Sequence, residues 1–425
     1  MPEARPFPVE DLRRRFPALE RAEGFLFFDN GAGSQIPDRV LEAVTDHLLA
    51  RNVQRGGPYR QSREVDEGIA RARESVAALV NARSPGEIAF GLNATSFIRA
   101  ISLAISQTLG TRPEIIVSEI DHEANIATWL ALERVGARIR WWRPNAGDPL
   151  GPPHPADLEP ILSERTRLVA CTMASNATGT LIDVAEVARR AHAAGAEVFL
   201  DAVHYAPHGP IDVQAIDCDY LVCSGYKIFA PHMGFAWCRR EAIHGLPTFR
   251  EDFIPDVMPD KLEAGTYAYE NVAGMDAAVR YLEELGRSFP GAAGAAGESL
   301  PRTAVLHTAM NRIVDYERSL SRRLLDEVEG IPGVTVFGIT DRERLSERVP
   351  TLCFSAVGCD STTIAQGLAA RGVGVRSGHM YSPRFLSKLC PLPAGAVRAS
   401  LVHYNTASEI ARFGSALREV LDELG

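Results

Sequence analysis

The chain has 425 residues and a formal net charge of −9; 46 % of its residues are hydrophobic and 23 % charged. That length allows two domains and a sizeable core, and the composition is ordinary for a soluble globular protein. The acidic balance argues against nucleic acid or an anionic membrane as the main partner, and no run of about 18 apolar residues predicts a membrane span.

The seven cysteines (Cys171, Cys218, Cys223, Cys238, Cys353, Cys359 and Cys390) are scattered. Their count is odd and no CxxC occurs, so neither a disulfide framework nor a zinc cluster is signalled. No HExxH is present, and no metal site is expected. The N-terminus lacks an apolar signal core. A cytoplasmic protein in a reducing compartment is the expectation.

Residues 8 to 20 read as a short amphipathic helix, with Val9, Leu12, Phe16 and Leu19 on one face. GFLFFDNGAGSQIP follows, an apolar run breaking into a turn where Gly31 and Gly33 permit backbone conformations closed to other residues. Helix is expected over 38–51 and 63–80. At IAFGLNATSFIRAISLAI a strand gives way to Asn93, Ala94, Thr95 and Ser96 and then a helix. Small hydroxyl residues there satisfy free backbone N–H groups, and such a helix start also attracts an anion.

Ile115–Val117 reads as a buried strand leading to Asp121 and His122, and Arg138–Trp142 as another. Pro144, Pro149, Pro152, Pro153 and Pro155 make 144–155 a loop. A strand over Leu168–Thr172 runs into SNATGT. Helix is expected from Asp183, with Gly195 at its C-terminal cap, then a strand ending at Asp201. Strands and helices thus alternate over 88–201. The strands are apolar throughout, as parallel strands buried on both faces should be. Ligands of such sheets bind beyond the carboxyl ends of the strands, where His122, Asn176 and Asp201 fall.

Tyr220–Cys223 and GFAWC are further strands around the turn SGYK. GAAGAAG within 289–301 reads as a flexible surface insertion. Helix follows over 303–328, then strands near 333–337 and 351–356, helix over 361–371, the loop RSGHMYSPRF, the strand VRASLVHYN and a last helix. This last third is α+β in pattern.

Asp201 and Lys227 are far enough apart for a strand, a connection and a second strand to bring them onto one ligand. An acid for a pyridinium nitrogen and a lysine for covalent attachment are what pyridoxal phosphate (PLP) asks of a protein. Rival motifs are incomplete. No GxGxxG or GxxxxGK[ST] occurs. Ser224 and Lys227 match S-x-x-K, but neither S-D-N nor K-T-G accompanies them.

Seven segments in order resemble the class V (fold-type I) PLP-dependent aminotransferase superfamily, in its cysteine-desulfurase-like branch: FFDNGAGSQIP, IDHEANIATW, SNATGT, LDAVHYAPH, SGYK, GTYAYENVAG and VRASLVHYNT. The resemblance implies an α/β fold with a mostly parallel seven-stranded sheet in a large PLP-binding domain, expected over 26–285. A smaller α+β domain is expected over 286–425, with residues 1–25 packing on it. It also implies a homodimer with active sites at the interface and a small amino-acid substrate. His122 would stack on the cofactor ring, Asp201 hold its pyridinium nitrogen and Lys227 anchor it covalently. Ser224, Thr95 or Ser96, and Thr266 of the neighbouring subunit would hold the phosphate. Tyr226 stands where desulfurases commonly carry His, and His204 where a Gln is expected near the phenolic oxygen. Asn176, Arg376 and Arg398 are the expected substrate-binding residues, with Arg398 gripping the carboxylate.

One departure changes the expected reaction. The loop position where desulfurases carry the persulfide-forming cysteine is Tyr381, and none of the seven cysteines lies in that loop. The leading expectation is a C–S lyase: β-elimination from an S-substituted L-cysteine to thiol, pyruvate and ammonia. Tyr381 would either protonate the departing sulfur or only shape the pocket. Transamination, epimerisation, decarboxylation with oxidative deamination, and desulfurase-like sulfur transfer are the alternatives.

Overall fold

The computed structural model describes residues 6–145, 151–290, 300–390 and 395–425. The strands in chain order are β1 (Leu26–Phe27), β2 (Ile88–Gly91), β3 (Glu114–Ser118), β4 (Arg138–Trp142), β5 (Thr166–Thr172), β6 (Glu197–Asp201) and β7 (Tyr220–Ser224). Then come β8 (Gly234–Cys238), β9 (Val334–Phe337), β10 (Thr351–Ala356), β11 (Val373–Gly374), β12 (Arg376–Gly378) and β13 (Ala396–Ser400).

A seven-stranded sheet has the order β2-β8-β7-β6-β5-β3-β4. From β7 to β4 neighbouring strands are parallel, while β8 runs antiparallel to both β7 and β2. Alternate residues feed two cores. Val169, Val198 and Leu221 face one side; Leu168, Phe199 and Val222 face the other. That is why these strands are written as unbroken apolar runs. β4 departs from the expectation. It is an edge strand whose Arg138 and Arg140 are exposed, so it alternates.

The parallel strands share one carboxyl edge. Asp201 at the end of β6 lies in register with Thr172 at the end of β5 and with Val222 on β7. Helix Ala94–Ser106 brings its N-terminus to the same edge. Asn93 caps it by accepting from Ser96 N–H at 2.9 Å, and the Ser96 hydroxyl donates back to the Asn93 carbonyl at 2.7 Å. Gly234 makes this approach possible. A Cβ there would lie 2.5 Å from the Asn93 carbonyl carbon and 2.6 Å from its Cα.

A second sheet is antiparallel, in the order β12-β13-β10-β9. Helices Arg302–Glu329, Ser361–Ala370 and Ala407–Leu424 pack on it. The N-terminal stretch is tied to this part. β1 pairs with β11, and Asp29 bridges Ser400. The buried Asn30 amide donates to Phe27 O at 2.7 Å, Ser400 O at 3.0 Å and Asn405 Oδ1 at 3.1 Å, and its oxygen accepts from Tyr404.

The expected helix over 8–20 is two short helices, Val9–Arg13 and Pro17–Arg21. Pro17 lacks the N–H that would continue the first, and it starts the second instead. Gly195 takes φ +73° just past helix Val184–Ala193, as a C-terminal glycine should. Gly31 and Gly33 are not among the left-handed glycines; at Gly31 the need is for space, since a Cβ would come 3.0 Å from Arg398 Cζ and Ser400 Oγ, while at Gly33 it would make ordinary contact with Tyr226. Residues 291–299 of the expected flexible insertion and 146–150 of the proline-rich loop lie outside the described residues.

Gly234→Ala is expected to cost about 1–3 kcal/mol, because the added methyl meets backbone that cannot swing away. A lowered denaturation midpoint is the readout; an unchanged midpoint would show that the helix start moves aside freely.

Candidate active site

A cleft of about 420 Å³ opens at the carboxyl edge of the large sheet. It is lined by Thr95, His122, Asn176 and Asp201, together with His204, Ser224, Tyr226 and Lys227. These eight come from four strand ends and one helix start.

Lys227 sits on the turn after β7, buried to 6 % exposure, and among the described residues its amine makes no ion pair or side-chain hydrogen bond. Burial, then the nearby Arg398 charge, lowers its pKa to about 8, and Asp201 offsets part of that shift. Asp201 is equally buried. Burial raises its carboxyl, while the Val203 N–H (2.9 Å) and Lys227 pull it back. Asp121, which the sequence reading left unassigned, lies below the site. Its carboxyl is pushed well up by burial and then by the Asp201 charge, and its Oδ2 has no partner. Two neighbouring buried carboxylates resist ionising together, and the stronger upward push falls on Asp121.

His122 is neutral, with a pKa lowered to about 4 by burial and by the Lys227 and Arg398 charges. Its Nδ1 accepts from Ala124 N–H at 3.0 Å, which leaves the proton on Nε2. Burial, then Lys227, also pushes His204 well down. Its Nε2 meets Thr351 Oγ1 at 3.0 Å, and its buried Nδ1 is unpartnered.

At the other end, Ala94 N–H donates to Ser224 Oγ at 3.1 Å, and Thr95 is the next helical residue. A helix start with two hydroxyl groups suits an anion. Ser96 is not directed there, because the capping box uses its hydroxyl. Tyr226 stacks on His232 with ring centroids 5.2 Å apart.

Besides Ser96, four expected residues (Thr266, Arg376, Arg398 and Tyr381) are not in the cleft lining. Thr266 is exposed and accepts from Gln54 Nε2 at 2.7 Å. Arg398 is buried behind the cleft, where its Nη1 donates to Asn176 O at 2.7 Å. Its charge is opposed by Asp29, a residue the sequence reading missed, which also holds Arg376. Tyr381 projects over the mouth, exposed, with its ring 5.6 Å from that of His122.

The loop carrying Tyr381 is strongly held. Asn176 Nδ2 donates to Met380 O at 2.6 Å, Ser382 Oγ donates to Asn176 Oδ1 at 3.1 Å, and Glu123 N–H donates to Tyr381 O at 2.8 Å. Met380 and Tyr381 both take left-handed φ values, +52° and +59°. Consecutive non-glycine residues in that region cost of order 1–2 kcal/mol each, and these hydrogen bonds hold them there. Asn176 therefore spends its side chain on the loop.

The donor set fits PLP. The cleft offers an unpartnered buried amine, a buried carboxylate, a neutral imidazole face and an anion cradle, and these match an aldehyde, a pyridinium, an aromatic ring and a phosphate.

Comparisons with known proteins agree with this geometry. The family described as aminotransferase class-V matches residues 26–413. The aminotransferase-like protein FGM3 of Gibberella zeae is 33 % identical over 98 % of this chain and 99 % of its own. A probable cysteine desulfurase of Synechocystis is 31 % identical over 96 % of this chain and 95 % of its own. The crystal structure of the cysteine desulfurase CsdA from Escherichia coli superposes with a TM-score of 0.83 at 27 % identity, covering 99 % of this chain and 100 % of that one.

The low Lys227 pKa sets a pH dependence for cofactor attachment. Below about 8 the amine is protonated and cannot attack; above it the amine is free. The rate of PLP incorporation into cofactor-free protein, followed by absorbance, should rise with pH and level off above about 8. A rise continuing toward 10.5, the ordinary lysine value, would contradict the burial argument.

Proposed function

This chain belongs to the class V aminotransferase family of PLP-dependent enzymes, and from that premise we propose that it cleaves the C–S bond of an S-substituted L-cysteine by β-elimination. The fold is the fold-type I transferase fold. In the proposed reaction the Cα–H and Cβ–S bonds break, the sulfur leaves as a thiol, and the remaining enamine takes up water to give pyruvate and ammonium.

PLP, when bound, supplies the electron sink that acidifies the Cα–H of an attached amino acid. The chain's residues do the rest. Asp201, buried in the cleft lining, would hold the ring nitrogen and keep a proton on it. The His122 ring, kept neutral by burial, would stack on the cofactor ring without adding charge. Lys227, once released from the cofactor, would take the Cα proton. Arg398 fixes the carboxylate and so selects which Cα bond is broken. Thr95 and Ser224 hold the phosphate, with the partner subunit's Thr266 the expected third contact in a homodimer.

The observation that favours elimination over persulfide transfer is Tyr381. It stands over His122, where a persulfide-forming cysteine would have to reach. Six of the seven cysteines are buried, and the seventh, Cys359, follows β10 on a turn. Cys390, nearest along the chain, bonds Leu386 O through Sγ and lies in the core. The hydroxyl of Tyr381, whose ring stands 5.6 Å from that of His122, is the proposed proton donor to the departing sulfur.

Holoenzyme given S-methyl-L-cysteine should form thiol and pyruvate in equal amounts, and Lys227→Ala should lose both products and the visible band of the lysine-bound cofactor. A band with neither product would redirect the assignment to transamination, epimerisation or oxidative deamination. Tyr381→Phe should slow release of an alkyl thiol about 10²-fold and barely affect an S-aryl cysteine, whose thiolate leaves unprotonated. Equal slowing of both would leave Tyr381 a shaping residue only.

A further inference from the structure

Arg376 and Arg398 lie directly opposite each other on the antiparallel pair β12–β13. Like charges in that register repel, and Arg398 is nearly inaccessible at 1 % exposure. One carboxylate resolves this. Asp29 Oδ2 accepts from Arg376 Nε at 2.9 Å and Nη2 at 2.6 Å, and its Oδ1 accepts from Arg398 Nη2 at 3.1 Å. The Asp29 backbone is itself fixed by the bridge to Ser400.

The Arg398 fork is then half used. Nη1 is on Asn176 O, Nη2 is on Asp29, and the buried Nε has no partner. Gly31 leaves the guanidinium room, since a Cβ there would come within 3.0 Å of Arg398 Cζ. A buried guanidinium N–H without an acceptor is costly unless a ligand supplies one.

We propose that Asp29 is a positioning residue for carboxylate recognition: it holds Arg376 and Arg398 together against their repulsion and leaves the buried Arg398 Nε without a protein acceptor, a place the substrate carboxylate can take. This rests on the reading that Arg398 receives that carboxylate, and it adds the residue that aims it. Substrates with a free α-carboxylate depend on Asp29; amino compounds without one do not.

The test titrates holoenzyme with L-alanine, which has no β leaving group, and with L-alaninamide, which has no carboxylate, following cofactor absorbance. In the native protein alanine should bind more tightly than its amide. Asp29→Asn should weaken alanine about tenfold and leave alaninamide within twofold, with the ligand-free spectrum unchanged. Asp29→Glu, which keeps both oxygens, should recover part of the loss, and it serves as the second variant if Asp29→Asn does not hold cofactor. A purely structural role would move both ligands together, and that result overturns the proposal. Arg398→Lys separates the layers. If it lowers the alanine preference while Asp29→Asn and Asp29→Glu do not, Asp29 has no positioning role. If Arg398→Lys leaves the preference intact, the carboxylate reading falls and the proposal with it.

Discussion

Burial of Asp201 and Lys227 at one carboxyl edge of a parallel sheet is the constraint on which the site depends. Dry surroundings penalise both charged forms, so the acid is pushed up and the amine down. The same dryness keeps His122 and His204 neutral. A sheet of parallel strands, covered on both faces, is the architecture that delivers several side chains to one such place, because all its strand ends stop together.

That edge is finished by parts from elsewhere in the chain. Helix Ala94–Ser106 reaches it only because Gly234 lets backbone pass backbone. The loop after β12 closes over it with Tyr381 in a left-handed conformation, held through Asn176 and Glu123. Strain kept in place by several hydrogen bonds marks a segment whose position matters more than its local comfort.

The N-terminal stretch completes the site from the other direction. Asn30 is knotted to Ser400, Tyr404 and Asn405, and this places the neighbouring Asp29 between two arginines. Residues more than 300 positions apart thereby form one carboxylate grip. A buried arginine needs such a counter-charge, since burial alone disfavours its cation.

Much of this was written locally. Unbroken apolar strands, helix caps such as Asn93 and the C-terminal Gly195, and the ordered motifs around His122, Asp201 and Lys227 are properties of short segments, so the sequence determined the alternating fold, the cofactor class and eight residues that line the cleft. Properties that depend on distant partners were not legible. Ser96 looked like a phosphate ligand, and its capping bond took it away. Gly31 looked conformational, and its role is to clear Arg398. Asp29 and Asp121 carried no motif, because what gives each a role is a charge brought beside it by folding: two guanidiniums for one, a second carboxylate for the other. Only the tertiary structure decided these, since electrostatic coupling follows distance in space and not separation along the chain.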